Sequence, residues 1–367
     1  MTLAWPVLYL AIFISSLSLA LVLTPISARL GWALGILDRP GERKIHQTVI
    51  PRSGGLALYL TIMIVVGGGF LLARLLAAQA PGLFPDRILV LLNNLHLVQD
   101  RFVAMLIGAT WIFALGLVDD RRGLGPWTKL AGQIIAAIPL LLVGSRIVVF
   151  VPSPIVGGAL TIAWVVLLCN SFNFMDNMDG LCAGVAAIVC GVLAFISWRA
   201  EEYFMTALIL TLAGALLGYL HYNFSPARVF FGDGGSLLVG YLLAFFTIEA
   251  TYYKSGTPTG FPVLMPLIIL GVPLFDTLTV LGIRLRRGKP LMQGDTNHFS
   301  HRLVALGLSQ KQAVLFIYVI TLAVALCALP LRVLALPDAL VQGLTVALLF
   351  TIIGVLEWAG KMRSNGR

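Results

Sequence analysis

Charge is scarce in this chain. Only 11% of its 367 residues are charged, where a soluble domain carries about a quarter, while 59% are hydrophobic and mean hydropathy is +0.95. A soluble fold of this length cannot hide so much apolar side chain, and disorder requires the opposite composition. Cysteine is also sparse. Cys169, Cys182, Cys190 and Cys327 lie in apolar runs without a CxxC pair, which excludes a disulfide scaffold and gives no sign of a zinc site. No Lys or Arg precedes Arg29 and no small-residue cleavage site follows, so the first apolar run does not read as a cleaved signal peptide. No low-complexity tract or internal repeat divides the chain, and residues 1–367 read as one domain.

What is present is a series of long apolar segments. A membrane-spanning helix needs about 20 mostly apolar residues. Eleven segments qualify, at 4–24, 54–78, 102–118, 129–145, 158–174, 180–198, 204–221, 235–252, 262–283, 312–331 and 339–360. The expected fold is an all-α polytopic membrane protein with about eleven transmembrane helices. The basic excess, with a pI near 9.7, would suggest nucleic acid in a soluble protein. Here its distribution matters more. With the N-terminus outside, 18 of the 25 Lys and Arg fall in cytoplasmic loops and the tail, and 7 on the other side. That bias predicts an external N-terminus and a cytoplasmic C-terminus, and no nucleic-acid partner. The β-branched stretch RIVVFVPSPIVGG, with its Pro and Gly break, predicts a short external β-hairpin after the fourth span.

Carboxylates are costly in hydrocarbon, and here they gather after odd-numbered spans. Asp119 and Asp120 follow the third span, Asp176 and Asp179 the fifth, Asp233 the seventh. Asp276 sits near the inner end of the ninth, and Asp295 lies in the loop beyond it. Parity puts all seven on the cytoplasmic side. Asp119-Asp120 reads either as a helix end neutralised by Arg121 and Arg122, or as a pair that shares a divalent cation or splits into a charged and a more basic member. Asn170, Asn173, Asp176 and Asp179 recur at three-residue steps and would line one helix face, although a turn closed by Gly180 is the plainer alternative. Asp233, within GDGGS just before the eighth span, stands where glycines and a helix N-terminus favour an anion, or where an N-cap is needed.

Two loops supply cations. RLRRGKPLMQGDTNHFSHRL carries Arg284, Arg286, Arg287, Lys289, His298, His301 and Arg302; the run from Arg284 to Lys289 reads as positive-inside anchoring, and the histidines suit phosphate better than a metal that prefers oxygen. The first inner loop, LDRPGERKIHQTVIPRSGG, is either a connector or a lid for an anionic substrate. Several carboxylates in one cleft repel unless cations neutralise them. A divalent ion together with a polyanionic substrate does so, and the composition fits metal-dependent phosphoryl chemistry at a membrane surface.

From Asp38 to Gly307 these pieces follow an order, DRPGERKIHQTVIPRSGG, VDDRRGLG, NSFNFMDNMDGL, FFGDGGSL, PLFDT and DTNHFSHRL, that resembles the polyprenyl-phosphate N-acetylhexosamine 1-phosphate transferase family. The resemblance implies ten or eleven spans and an active site at the inner face of the plasma membrane. It also implies transfer of a sugar-1-phosphate from a UDP-sugar to a polyprenyl phosphate with release of UMP, in cell-envelope polysaccharide synthesis. By resemblance Asp233 is the principal Mg²⁺ ligand (Mn²⁺ being the substitute), joined by Asn173. Asp119 and Asp120 are the catalytic pair. Asp179 belongs to the catalytic set and, with Asn173 and Asp176, contacts nucleotide and metal. His298, His301 and Arg302 contact diphosphate or sugar, and Lys44 and His46 close over the substrate. Relatives of this kind are often homodimers.

Two positions depart from the family pattern. Asn177 stands where glycine is usual between two carboxylates, and Ser300 replaces the middle histidine of H-x-H-H; a histidine at 300 is expected to be tolerated if this arm only contacts phosphate. The absence of consecutive histidines, and the first loop, favour UDP-GlcNAc over UDP-MurNAc-pentapeptide as donor. A secondary transporter is the alternative from another class, but it would place its ionisable residues near the bilayer midplane, and only Asp276, with Pro266 and Pro273 nearby, resembles an intramembrane site. The pattern of the CDP-alcohol phosphotransferases is absent, since LCAGVAA follows Asp179-Gly180.

Overall fold

The computed structural model describes residues 4–39, 48–79, 95–148, 153–252, 260–290 and 297–365. Within them the chain is helical except for a two-residue antiparallel ladder, β1 (Leu37–Asp38) with β2 (Ile50–Pro51), at the base of the first polar loop. In chain order, α1 is Ala4–Leu34. α2 (Gly54–Ile62) passes through a π-helical turn into α3 (Gly68–Gln79). Then come α4 (His96–Arg122), α5 (Pro126–Leu142), α6 (Pro154–Met175), α7 (Leu181–Arg199), α8 (Tyr203–Asn223) and α9 (Gly232–Glu249). A 3₁₀ turn leads into α10 (Met265–Ile269), followed by α11 (Gly271–Arg286), the short α12 (Phe299–Ala305), α13 (Gln310–Leu326) and α14 (Leu336–Asn365).

Among the described residues, eight helical segments are long and apolar enough to cross a bilayer, and a ninth is reached if the pair Pro262–Ile269 and Gly271–Arg286, bent by 67° at its break, is one span. The protein is a polytopic membrane protein. A helix stands at each of the eleven expected segments, but length and apolarity do not establish eleven spans: α5 has 17 residues, and α9, with 18, carries an acid at each end. The hairpin expected near 146–158 does not form where that stretch is described. Residues 145–148 form no strand and Pro154 already opens α6, while 149–152 lie outside the described residues. The Ser153 side chain accepts the Val156 N–H and Pro154 occupies the first helical turn, so helix-start chemistry overrides the β-branched composition there.

α9 is the centre of the bundle. It is apolar around its circumference, nearly all of it is buried, and it packs against α4 and α6, as a helix without a polar face must. Apolar attraction between helices is weak in lipid, so close approach of small residues takes its place. α8 shows this: a Cβ at Gly214 or Gly218 would lie 2.5 Å from the Phe13 or Leu17 carbonyl oxygen, and this glycine pair, four residues apart, lets α8 lie directly on α1. Many large apolar side chains of α1, α13 and α14, such as Leu10, Val319 and Leu344, face outward.

The ends of α4, α6, α8 and α11 and the starts of α5, α7, α9 and α12 converge at one end of the bundle, where the motif residues lie.

Candidate active site

The acidic pair ends α4. Gly123 adopts φ +65 and donates its N–H to the Asp119 carbonyl, stopping the helix; Leu124 N–H then donates to Asp119 Oδ1 at 2.6 Å, and Pro126 starts α5. This tight reversal brings Lys129, one turn into α5, back over the end of α4. Its ammonium binds Asp119 Oδ2 at 2.5 Å and also Asp233 Oδ2. Asp119 and Asp233, from separate motifs, are thereby drawn onto one positive charge.

Asp120 faces another way. Its Oδ1 accepts the Asp233 N–H at 2.9 Å and its Oδ2 the Gly234 N–H at 3.0 Å. The anion expected at the glycine-rich start of α9 is therefore a protein carboxylate. It satisfies two of the unpaired amide donors of that helix and sits at the positive end of its dipole. Gly232 is required here: its φ is +69, and a Cβ would lie 2.4 Å from Asp120 Oδ2. Gly116 performs the same service from α4, where a Cβ would meet the Asp233 backbone at 2.5 Å.

Arg52, beside β2, completes the cluster. Its guanidinium lies 3.7 Å from Asp120 Oδ1, 4.0 Å from Asp233 Oδ1 and 3.9 Å from Asp38 Oδ1. Burial opposes its charge, but these carboxylates outweigh burial and raise its pKa above the usual arginine value.

Between this cluster and the histidines runs the turn 176–180. The expectation of one helical stripe from Asn170 to Asp179 is corrected by the structure. α6 ends at Met175, so only Asn170 and Asn173 are helical, and Asp176 and Asp179 lie in the turn closed by Gly180 at φ +78. Asn170 bonds inward to Gln133 Oε1 at 2.7 Å. Asn173 Nδ2 donates to Ser236 Oγ on α9 at 3.0 Å, which places it beside the Asp233 helix. Asp179 Oδ2 accepts the Ala227 N–H at 2.9 Å, anchoring the segment that leads into α9. Desolvation pushes the Asp176 carboxyl up to about 8, against the pull of Arg52 and with the charges of Asp233, Asp120 and Asp179 adding to the rise.

A second cluster forms around α12. Asp276 Oδ1 accepts the Phe299 N–H at 2.6 Å and Oδ2 pairs with His298 Nδ1 at 2.9 Å, so Asp276 caps α12 and orients the imidazole. His298 is 4% exposed and meets the Phe174 ring edge-on, with centroids 5.6 Å apart. The rings of His298 and His301 are 6.4 Å apart. Arg302 donates to the Asn297 carbonyl and to Thr279 Oγ1, which commits its fork to holding the arm in place. Arg284 corrects the anchoring reading of the basic run: it is 1% exposed, with its guanidinium 5.1 Å over Phe174.

The structure therefore joins Asp119, Asp120 and Asp233 in one cluster, with Asn173, Asp176 and Asp179 alongside, and places His298, His301 and Arg302 in a neighbouring arm. Lys44, His46 and Asp295 lie outside the described residues. Sequence reading missed Arg52 and Lys129 as site residues. The one available signal was that both flank acidic or glycine-rich motifs. Among the described residues no three His, Cys, Asp or Glu side chains form a ready metal-binding group. The donors that do converge, the Asp119 and Asp233 carboxylates, are hard oxygen ligands already gathered around a cation, which suits a hard divalent ion.

Residues 102–251, which hold Asp119, Asp120, Asp176, Asp179 and Asp233, match the profile of glycosyl transferase family 4. The chain is 33% identical over 328 residues to the "Probable undecaprenyl-phosphate N-acetylglucosaminyl 1-phosphate transferase" of Bacillus subtilis (strain 168), covering 87% of this chain and 84% of that protein. It is 36% identical over 305 residues to the decaprenyl-phosphate N-acetylglucosaminephosphotransferase of Mycobacterium leprae, covering 76% and 72%. Identity to the undecaprenyl-phosphate alpha-N-acetylglucosaminyl 1-phosphate transferase of Escherichia coli (strain K12) is 28% over 300 residues, covering 80% and 75%. Similarity over this much of both chains, joined to acidic motifs that meet at one end of the bundle, means that the chain belongs to glycosyl transferase family 4, among its polyprenyl-phosphate N-acetylhexosamine 1-phosphate transferases.

Proposed function

We propose that this protein transfers N-acetylglucosamine 1-phosphate from UDP-N-acetylglucosamine to a polyprenyl phosphate, releasing UMP, at the cytoplasmic face of the plasma membrane, and that it serves cell-envelope polysaccharide synthesis. One observation carries the reading: Asp119 and Asp233, 114 positions apart in the sequence, converge on the Lys129 ammonium, with Arg52 beside them. Carboxylates interleaved with cations are what a diphosphate and its counter-ion need. The names of the relatives support the N-acetylglucosaminyl donor over UDP-MurNAc-pentapeptide. The 18-to-7 distribution of basic residues supports eleven spans with an external N-terminus and a cytoplasmic site.

In this reading a lipid phosphate oxygen attacks the phosphorus that bears the sugar, the new P–O bond forms as the bond to UMP breaks, and no net proton moves. Direct attack is favoured because a phosphate monoester, with a second pKa of about 6, is mostly dianionic at neutral pH. Asp120 is already held by two amides and Arg52, so it serves as the fixed cap of α9 rather than as a nucleophile. Asp119 and Asp233, with the amide oxygen of Asn173, are the residues to hold Mg²⁺, or Mn²⁺ in its place. Bound there, the ion would neutralise diphosphate oxygens and favour departure of UMP. Lys129 and Arg52 keep the carboxylates together against their mutual repulsion. Asp276 fixes the tautomer and aim of His298 toward an anionic group.

The test is direct. Purified protein given Mg²⁺, UDP-N-acetylglucosamine and polyprenyl phosphate should release UMP and form a diphosphate-linked lipid. A panel of UDP-sugars, UDP-MurNAc-pentapeptide included, identifies the donor. No UMP from any of them would sink the transferase reading and leave a transporter.

A further inference from the structure

Asn177 of the acidic turn and Ser300 of α12 bond to each other. The Ser300 hydroxyl donates to Asn177 Oδ1 at 2.6 Å across 123 residues of sequence, and Asn177 Nδ2 donates back to the Phe174 carbonyl at 2.6 Å. Ser300 is 1% exposed and lies in the first turn of α12, directly between Phe299, whose amide is capped by Asp276, and His301. The short α12 is thus gripped at its N-terminus from two sides, by Asp276 of α11 and by Asn177 of the turn that carries Asp176 and Asp179. Seven residues do not make a stable helix alone, so these grips decide where its basic groups sit.

We infer that the Asn177–Ser300 hydrogen bond is a positioning clamp that sets the histidine arm against the acidic turn and thereby tunes affinity for the nucleotide-sugar donor. The inference rests on the proposed transferase reading for its kinetic part only. The contact also suggests a compensating pair of changes, since glycine at 177 would give up as many side-chain atoms as histidine at 300 would add. A histidine alone at the buried Ser300 meets Asn177 and loses the bond, so the clamp predicts that the single change lowers donor affinity.

The test is a double-mutant cycle on the full chain in lipid nanodiscs, with Asn177→Ala, Ser300→Ala and both together. Each single variant should raise KM for UDP-N-acetylglucosamine about fivefold, the scale of one neutral hydrogen bond, with KM for polyprenyl phosphate unchanged within about twofold. The double variant should be no worse than the poorer single. Asn177→Gly with Ser300→His should recover most of the loss of Ser300→His alone. Amide hydrogen exchange over 298–305 gives a readout that needs no turnover: either single change should speed it about fivefold, and the second should add nothing. Single effects that multiply in the double variant, or exchange that neither change moves, would overturn the clamp. Wild-type protein that releases no UMP while exchange follows the cycle would overturn the function and retain the clamp.

Discussion

Asp120 accepts the backbone amide of Asp233, and that of the next residue, so one acidic motif caps the helix on which the other is carried. The two adjacent aspartates of α4 are consequently unlike. Asp120 holds a helix terminus with a side chain 1% exposed, while Asp119 meets the Lys129 ammonium.

Asp119→Asn and Asp120→Asn are expected to fail differently. Asp119→Asn keeps an oxygen for the Leu124 amide and should fold with little change in Tm, but lose at least about a hundredfold in kcat/KM. Asp120→Asn presents an NH₂ group to an amide donor and should lower Tm by several degrees along with activity. Thermal melts in detergent beside UMP release distinguish the two, and equal melts would argue against the capping role.

Asp233→Asn should abolish most turnover while the protein inserts and folds, and added Mg²⁺ should not restore it. Lys129→Ala should also cost at least about tenfold, because two nearby carboxylates lose their shared counter-charge. Lys129→Arg should retain more activity than Lys129→Ala. Comparable turnover of the alanine and arginine variants would remove Lys129 from the electrostatic account.

Asp276→Asn preserves an acceptor for the Phe299 amide but withdraws the carboxylate from His298. A drop of about tenfold or more in kcat/KM, with α12 exchange protection intact, is the expected result. His298→Ala should be no worse when combined with Asp276→Asn than alone, since the two act through one imidazole.

Asp176 yields a pH prediction. Its folded pKa of about 8 lies above the ordinary 3.8. A carboxyl raised on folding contributes stability that is full below the unfolded value and is lost as pH rises through the folded one. Asp176→Asn should therefore melt with the wild type near pH 4 and above it at pH 9, the gap opening between about pH 4 and 8. A gap that is constant over this range would contradict the proton-retaining carboxyl.

Sequence made some features legible and hid others for physical reasons. Gly232 to Ser236 were readable as an anion site because glycine and a helix start have local chemistry, yet the anion turned out to be Asp120, a partner no local window contains. The even spacing from Asn170 to Asp179 suggested one helical face, but spacing does not say where a helix stops: α6 ends at Met175, and Asp176 and Asp179 fall in the turn before Gly180. Arg284 looked like its exposed neighbours Arg286 and Arg287 and is instead buried against Phe174.

Membrane residence, helical architecture and the grouping of acids at one end all follow from the order of residues, because insertion responds to the free energy of each short segment and to the charge of its flanking loops. Which carboxylate meets Lys129, which one caps α9, and that Asn177 finds Ser300, follow from helix packing. Those contacts join residues more than a hundred positions apart in most cases, and a hydrogen bond or ion pair acts over a few ångströms of space regardless of distance along the chain.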